Sequence, residues 1–307
     1  MVFVVRRAVA LLVFLLAGCQ LQAADIFRVA TYNVENYLDA ASGTRPAKSA
    51  PAKAKVREGI LALKPDVLAL EEMGDTNALL ELQSALKTAG LELPYWEMVT
   101  GADTNIHVAV FSRFPITARQ PLTNDSFLLN GRRFRVSRGF AQVEIQVNPH
   151  YAFTLIAAHL KSKRTVPEAD EADLRLEEAK ILREKINARL AANPNANLIV
   201  LGDLNDYHNS PPIRTILGRG KKALVDTRPA ERNGDSEPHS DRRLAPRDIT
   251  WTHFFAEEDL YTRMDYILVS HNMAGGLVPA ETYVLALPNW GLGSDHRPLV
   301  ATFATGD

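Results

Sequence analysis

Cysteine is almost missing from this chain: Cys19 is the only one in 307 residues. No disulfide can close within the chain, and no cysteine cluster is there to hold a structural zinc. An excess of basic charge is missing as well. The formal charge of -1 excludes capture of nucleic acid by bulk electrostatics, so any affinity for phosphate has to be local. Gly/Ser linkers, internal repeats and low-complexity tracts are lacking, and a single domain from about Asp25 onward is the simplest reading. What remains is ordinary for a soluble globular protein, with 46% hydrophobic and 23% charged residues. A chain of this length buries a sizeable core without staples.

The first residues stand apart. "MVFVVRRAVALLVFLLAGC" has Arg6 and Arg7, an apolar run from Ala8 to Ala17, then Gly18 and Cys19. That order is a basic n-region, a short h-region and a small-residue cleavage zone, and the run is too short for a comfortable membrane span. "LAGC" resembles the lipobox of bacterial lipoproteins. The resemblance implies a signal peptide over residues 1–18, lipidation at Cys19, a short tether over 19–26 and a folded domain over 27–307. It places the protein at the cell envelope, with Gln20 pointing to the outer membrane of a Gram-negative source. Cleavage near Ala23 or Ala24 is the alternative, releasing a periplasmic or secreted protein.

Downstream, strand-like and helix-like segments alternate. "IFRVATYNV", "DVLAL", "IHVAVFS", "GFAQVEIQV", "YAFTLIAAHL", "NLIVLGD", "MDYILVS" and "PLVATFA" read as strands. "PAKAKVREGILALKPD", "DTNALLELQSALKTAG" and "EADLRLEEAKILREKINARLAA" read as helices. Some strands follow one another directly, the pair around "NPH" as a hairpin. The pattern therefore points to α/β layers with two sheets rather than one parallel sheet. The loop from Arg228 to Arg247 reads as a solvated excursion.

Polar side chains gather where the apolar runs stop. Asn33 and Glu35 follow the first strand, and Glu71 and Glu72 the second. His159, Lys161 and Lys163 follow "LIAA", and Asp203 and Asn205 follow "LIVLG". Asp265, Asp295 and His296 stand at or just before strand starts. Singly, each has a structural reading: Asp203 caps a turn, Asn33 satisfies a loop, His159 is a bonded core histidine. Recurrence at so many strand ends argues for one rim where a ligand binds. Carboxylate and amide oxygens favour a hard ion such as Mg²⁺ or Mn²⁺.

In order, "TYNVEN", "PDVLALEE", "AVFSRFPI", "AAHLKSK", "LGDLND", "TRMDYIL" and "SDHRPL" resemble the endonuclease/exonuclease/phosphatase superfamily. The resemblance implies an α/β fold, a four-layer αββα sandwich with two face-to-face β-sheets, and a metal-dependent phosphoesterase site at one rim. It assigns Asn33, Glu35, Glu72 and Asp295 to the metal, which is Mg²⁺ or Mn²⁺, with Ca²⁺ as a further alternative. Glu71 occupies the family's glutamine position. By the same resemblance Asp203 activates water, Asn205 holds phosphate, Asp265 orients His296, and His159 contacts phosphate or donates a proton. Asn33, Lys161 and Arg175 are expected at the substrate.

The expected activity is phosphodiester hydrolysis, with DNA or RNA as substrate, a lipid anchor as the only membrane contact and no obligate protein partner. A phosphomonoesterase, a phospholipid or inositol-phosphate hydrolase, and a non-catalytic binding lipoprotein are the alternatives. The run "GRRFRVSRG" is basic and carries an aromatic. It suits either a polyanion contact or a hydrated hairpin, and the sequence leaves the two open.

Overall fold

Side chains along Ile26–Tyr37 alternate between two apolar environments. Phe27 and Val29 face one way and Ala30, Tyr32 and Val34 the other, and all are buried. A strand apolar on both faces has to lie between two layers. The computed structural model describes residues 25–232 and 249–306. The expected leader and Cys19 lie outside the described residues, as does most of the Arg228–Arg247 loop.

Seven strands form the first sheet, in the spatial order β12 (Ala230–Glu231), β16 (Tyr283–Val284), β17 (Leu299–Ala304), β1 (Ile26–Tyr37), β2 (Val67–Met73), β4 (His107–Ser112) and β3 (Tyr95–Val99). The second has six: β11 (Val225–Asp226), β15 (Asp265–Val269), β10 (Leu198–Asp203), β9 (Tyr151–Ala158), β8 (Phe140–Asn148) and β5 (Ile116–Leu122). Two ribbons stand outside them, β6 (Ser126–Leu129) with β7 (Arg132–Arg135), and β13 (His253–Phe255) with β14 (Leu260–Thr262). Within the sheets, β1 runs parallel to β2 and β9 parallel to β10, while β17 and β15 run antiparallel to their neighbours β1 and β10.

Three clusters of buried side chains make four layers. One lies between the sheets, with Phe27, Val67, Leu155, Leu201, Ile267 and Phe303 among its members. Phe27 lies 5.4 Å from Phe153 and 5.7 Å from Phe303, each contact adding about 0.5–1.5 kcal/mol beyond area burial. A second cluster packs α1 (Ala50–Leu63) and α2 (Thr76–Thr88) on the outside of the first sheet. The third packs α3 (Glu171–Ala192) and α4 (Pro211–Leu217) on the outside of the second. The short α5 (His271–Ala274) contributes Met273 to the inter-sheet core. The fold is α/β, with two face-to-face sheets between helical layers.

Helix ends follow local chemistry. Ser49, Asp75, Asp170 and Ser210 cap α1 to α4 by accepting backbone N–H bonds. The strands β3 and β5 have no counterpart in the apolar pattern. Both are edge strands, and "ITARQPL" carries Arg119, Gln120 and Pro121 because most of its side chains meet solvent.

Candidate active site

Strand parity builds the site. Phe27, Val29, Thr31 and Asn33 share one face of β1, and Val67, Ala69 and Glu71 share the matching face of β2. Leu155, Ala157 and then His159 do the same for β9, as do Ile199, Leu201 and Asp203 for β10 and Asp265, Ile267 and Val269 for β15. The space between the sheets is therefore apolar until one rim, where polar side chains replace apolar ones. Asn33 is in register with Glu71, and Asp203 with Asp265. The rims of the two sheets meet where Asn33 Nδ2 donates to Asp203 Oδ2 at 3.0 Å.

His296 closes this rim from the turn before β17. Its Nδ1 lies 2.8 Å from Asp265 Oδ2, and its Nε2 lies 3.7 Å from Asp203 Oδ2. The Ser294 hydroxyl donates to the Asn33 carbonyl and accepts from His296 N–H, which pins the turn to β1. Asp265 Oδ2 also receives the Thr252 hydroxyl at 2.6 Å. Burial opposes charge on His296, but Asp265 and Asp203 outweigh it and hold the imidazolium well above the usual range.

Asp203 is pushed up to about 6 by burial and by Asp265, against the pull of His296. Two amides hold it: besides Asn33, Asn205 offers its backbone N–H at 2.9 Å and Nδ2 at 3.2 Å. His159 Nε2 stands 3.5 Å from Asp203 Oδ2. Burial, with the nearby cations of Arg138 and His296, keeps His159 neutral, well below its ordinary value. A carboxylate poised near neutrality beside one imidazolium and one neutral imidazole is equipped for general acid–base work.

Beside this group lies an acidic corner. Glu35, Asn36 and Glu72 all take positive φ, at 44°, 53° and 61°, and the ladder shifts register between Asn33 and Tyr37 and between Leu70 and Met73. Bulges re-aim side chains, and left-handed non-glycine residues cost roughly 1–2 kcal/mol each. Here they bring Glu72 Oε2 onto the Asn36 N–H at 3.0 Å. The Lys48 ammonium donates to the Glu35 carbonyl at 2.7 Å and lies 3.9 Å from its carboxylate, and the charges of Glu35, Asp295 and Glu72 act on it against the effect of burial. Burial and the neighbouring Asp295 push the Glu35 carboxyl up. These carboxylates are hard oxygen donors of the kind a divalent cation takes, while among the described residues the ligand atoms that converge are those of the His253–Asp295–His296 and Asp203–Asp265–His296 groups.

Two expected substrate contacts are placed elsewhere. Lys161 Nζ donates to the carbonyls of Ser162 and Arg164. Arg175 is 2% exposed and binds Asp206 Oδ2 at 2.9 Å and the Lys161 carbonyl at 3.1 Å. Both brace the loop after His159 instead of meeting the opening. Asn33 uses its amide on Asp203 and on the Glu35 N–H, which orients the carboxylate.

Several participants carried no local signal in the sequence. Thr31 donates to the buried Glu71, Thr252 supports Asp265, and Lys48 reaches the acidic corner from a loop. His253 lies 4.6 Å from His296, ring to ring, and 3.7 Å from Asp295. His253, Asp295 and His296 form one group with ligand atoms close together, and Asp203, Asp265 and His296 another. Only spatial neighbours distinguish these residues from ordinary loop positions.

With this geometry in view, residues 30–296 match the model of the Endonuclease/Exonuclease/phosphatase family, and the chain belongs to it. No curated protein matches the sequence. Solved structures match in fold. Truncated TDP2 of Caenorhabditis elegans has a TM-score of 0.59 at 16% identity, covering 91% of this chain and 98% of its own. The Neisseria 3′ phosphatase NExo, bound to a product DNA hairpin, has 0.58 at 18%, covering 90% and 99%. Sphingomyelinase C of Streptomyces griseocarneus has 0.59 at 19%, covering 91% and 99%. The family indicates a hydrolase acting on phosphoesters, and the neighbours show the same fold.

Proposed function

We propose that this protein is a divalent-metal-dependent phosphodiesterase, a nuclease acting on DNA or RNA at the cell envelope. The observation that carries the reading is the triad in which His296 spans Asp265 and Asp203, with Asn33 and His159 on the same Asp203 oxygen.

Asp203 takes a proton from a water aimed in line at phosphorus, since a base poised near 6 is ionised at neutral pH yet still basic enough to accept it. Asn33 and Asn205 fix the carboxylate's direction. His296, kept charged and oriented by Asp265, donates to the phosphoryl oxygen on which charge builds. His159, kept neutral 3.5 Å from Asp203 Oδ2, would offer a ring N–H to the phosphate. Glu35, Glu72 and Asp295 are the residues that would hold the metal. Mg²⁺, Mn²⁺ or Ca²⁺ there would neutralise phosphate oxygens and steady the departing one. The NExo complex with a DNA hairpin supports a nucleic-acid substrate, and the apolar leader ending in Cys19 supports an envelope address through a lipid anchor.

A second reading, a phospholipid hydrolase, draws on exposed apolar side chains of the β13–β14 ribbon, Phe255, Leu260 and Tyr261, and on the likeness to sphingomyelinase C. One comparison separates the readings. The purified domain is assayed on a small phosphodiester, a phosphomonoester, DNA, RNA and sphingomyelin, each with Mg²⁺, Mn²⁺, Ca²⁺ or chelator. Diester cleavage that needs metal and is fastest on nucleic acid is expected. A preference for sphingomyelin or for the monoester overturns the nuclease reading.

A further inference from the structure

The ribbon of β6 and β7 is a basic motif that this chemistry leaves unused. Its strands pair Ser126 with Arg135, Phe127 with Phe134, Leu128 with Arg133 and Leu129 with Arg132 across an Asn130–Gly131 turn. Both turn residues take positive φ, at 51° and 77°, as a two-residue hairpin turn requires. Ser126, Leu128, Arg133 and Arg135 share one face, while Phe127 and Phe134 stack at 5.9 Å on the other. Arg132 leans over the Phe134 ring. All three arginines are exposed. Among the described residues, none of them pairs with a carboxylate: Arg133 bonds the Ser126 hydroxyl, and Arg135 bonds Thr123 and Asn124 oxygens.

Where the ribbon stands is as informative as its charge. It leaves the second sheet between Leu122 and Phe140, and Phe140 pairs with Ala158, the residue before His159. The segment after it is clamped to the site loops. The Ser137 N–H and hydroxyl bind Glu178 Oε1, whose other oxygen takes the Lys161 N–H. Arg138 donates to the Leu160 carbonyl at 3.1 Å, and Asp103 holds both Arg138 and Arg45. Arg138 and Arg45 thus place positive charge near His159, and the ribbon adds three exposed guanidinium groups that pair with no carboxylate among the described residues.

We propose that this ribbon is a docking arm for a nucleic-acid backbone, with Arg132, Arg133 and Arg135 contacting phosphates away from the scissile one. The inference deepens the nuclease reading and rests on it. Arginine suits phosphate because its planar fork offers paired donors. A two-stranded ribbon with cations on both faces fits a duplex groove about 12 Å wide, with a phosphate wall on each side. An anionic membrane is the less suited partner. The ribbon's one strongly exposed apolar side chain is Leu128, and its phenylalanines are occupied with each other. The arm also explains how a chain of net charge -1 can hold a polyanion: the attraction is local.

The test compares the wild type with the triple variant Arg132→Ala, Arg133→Ala, Arg135→Ala and the matching triple lysine variant. Binding to a fluorescent DNA duplex is followed in chelator across a salt series, alongside turnover of a small phosphodiester with metal. The alanine variant should keep small-diester turnover, bind the duplex at least tenfold more weakly, and lose about 2–3 units from the slope of log K against log salt. The lysine variant should keep most of the slope. Unchanged DNA affinity and slope in the alanine variant overturn the arm. So does loss of binding to anionic phospholipid vesicles with DNA binding intact. Should the wild type bind DNA through the arm but cleave no nucleic acid, the nuclease reading fails and the arm stands.

Discussion

Asp203 and Asp265 stand directly opposite each other on antiparallel β10 and β15, two buried carboxylates in register with His296 reaching both. Like charges so placed repel, and the imidazolium is what makes the arrangement tenable. The neighbours also divide the labour. Asp265 is tied to Thr252 and His296, whereas Asp203 is held by amides that leave it basic.

Asp265→Asn keeps the shape and removes the charge that holds His296 protonated. Turnover of a small phosphodiester should fall about 10²–10⁴-fold, the range of a lost acid–base contribution, with circular dichroism unchanged. Asp203→Ala and His296→Ala should fall at least as far. Near-normal rates in any of the three folded variants refute the roles assigned here.

Gly202 carries φ +127°, and a Cβ there would meet the Ala158 carbonyl oxygen at 2.1 Å and Glu71 Oε1 at 2.9 Å. Gly202→Ala has to part β10 from β9 at the rim that presents Asp203. Both thermal stability and turnover should drop, whereas Gly306→Ala, in open space and without a positive φ, should leave turnover intact. Equal turnover in the two variants would show that the close approach is dispensable.

Glu71 is fully buried, its Oε1 accepting from Thr31 and its Oε2 without a partner. Burial, then the charge of Asp265, raises its carboxyl well above the ordinary value of 4.5. A raised acid binds its proton more tightly when folded, so stability falls as pH climbs from 4.5 toward the folded value and then levels off. Glu71→Gln removes that slope. Melting temperatures in chelator across pH 4 to 9 should show the variant gaining on the wild type through the window. A constant difference counts against a raised Glu71.

Arg175→Met leaves the buried Asp206 carboxylate with Lys163 as its remaining cation. The cost should stay below about 3–5 kcal/mol, that of a buried pair losing its only partner, and urea unfolding measures it. The Michaelis constant for a small phosphodiester should barely change. A raised Michaelis constant without lost stability would return Arg175 to the substrate, where the sequence resemblance had placed it.

Much of this protein was legible before folding. Short apolar runs named eight strands, and the polar residues at their ends are the ones that meet at one rim, because burial between two sheets leaves only strand ends open to polar groups. Edge strands escaped notice, since solvent relaxes the pattern that burial imposes. Lys48, Thr252 and His253 escaped for a related reason: they act through neighbours more than thirty residues away or through loops without periodicity. Lys161 and Arg175 show the converse, a motif that predicts a neighbourhood without predicting which atoms the side chains will bind.

The sequence by itself determined the alternation of strands and helices, the placing of Asn33, Glu71, His159, Asp203 and Asp265 at strand ends, and the locally basic ribbon. Tertiary structure alone decided which faces turn inward, that Asp203 faces Asp265, that His296 closes on both, and that the ribbon leaves the sheet next to the strand leading to His159. Periodicity is a property of consecutive residues. Register, bulges and the meeting of two sheets depend on how distant segments pack.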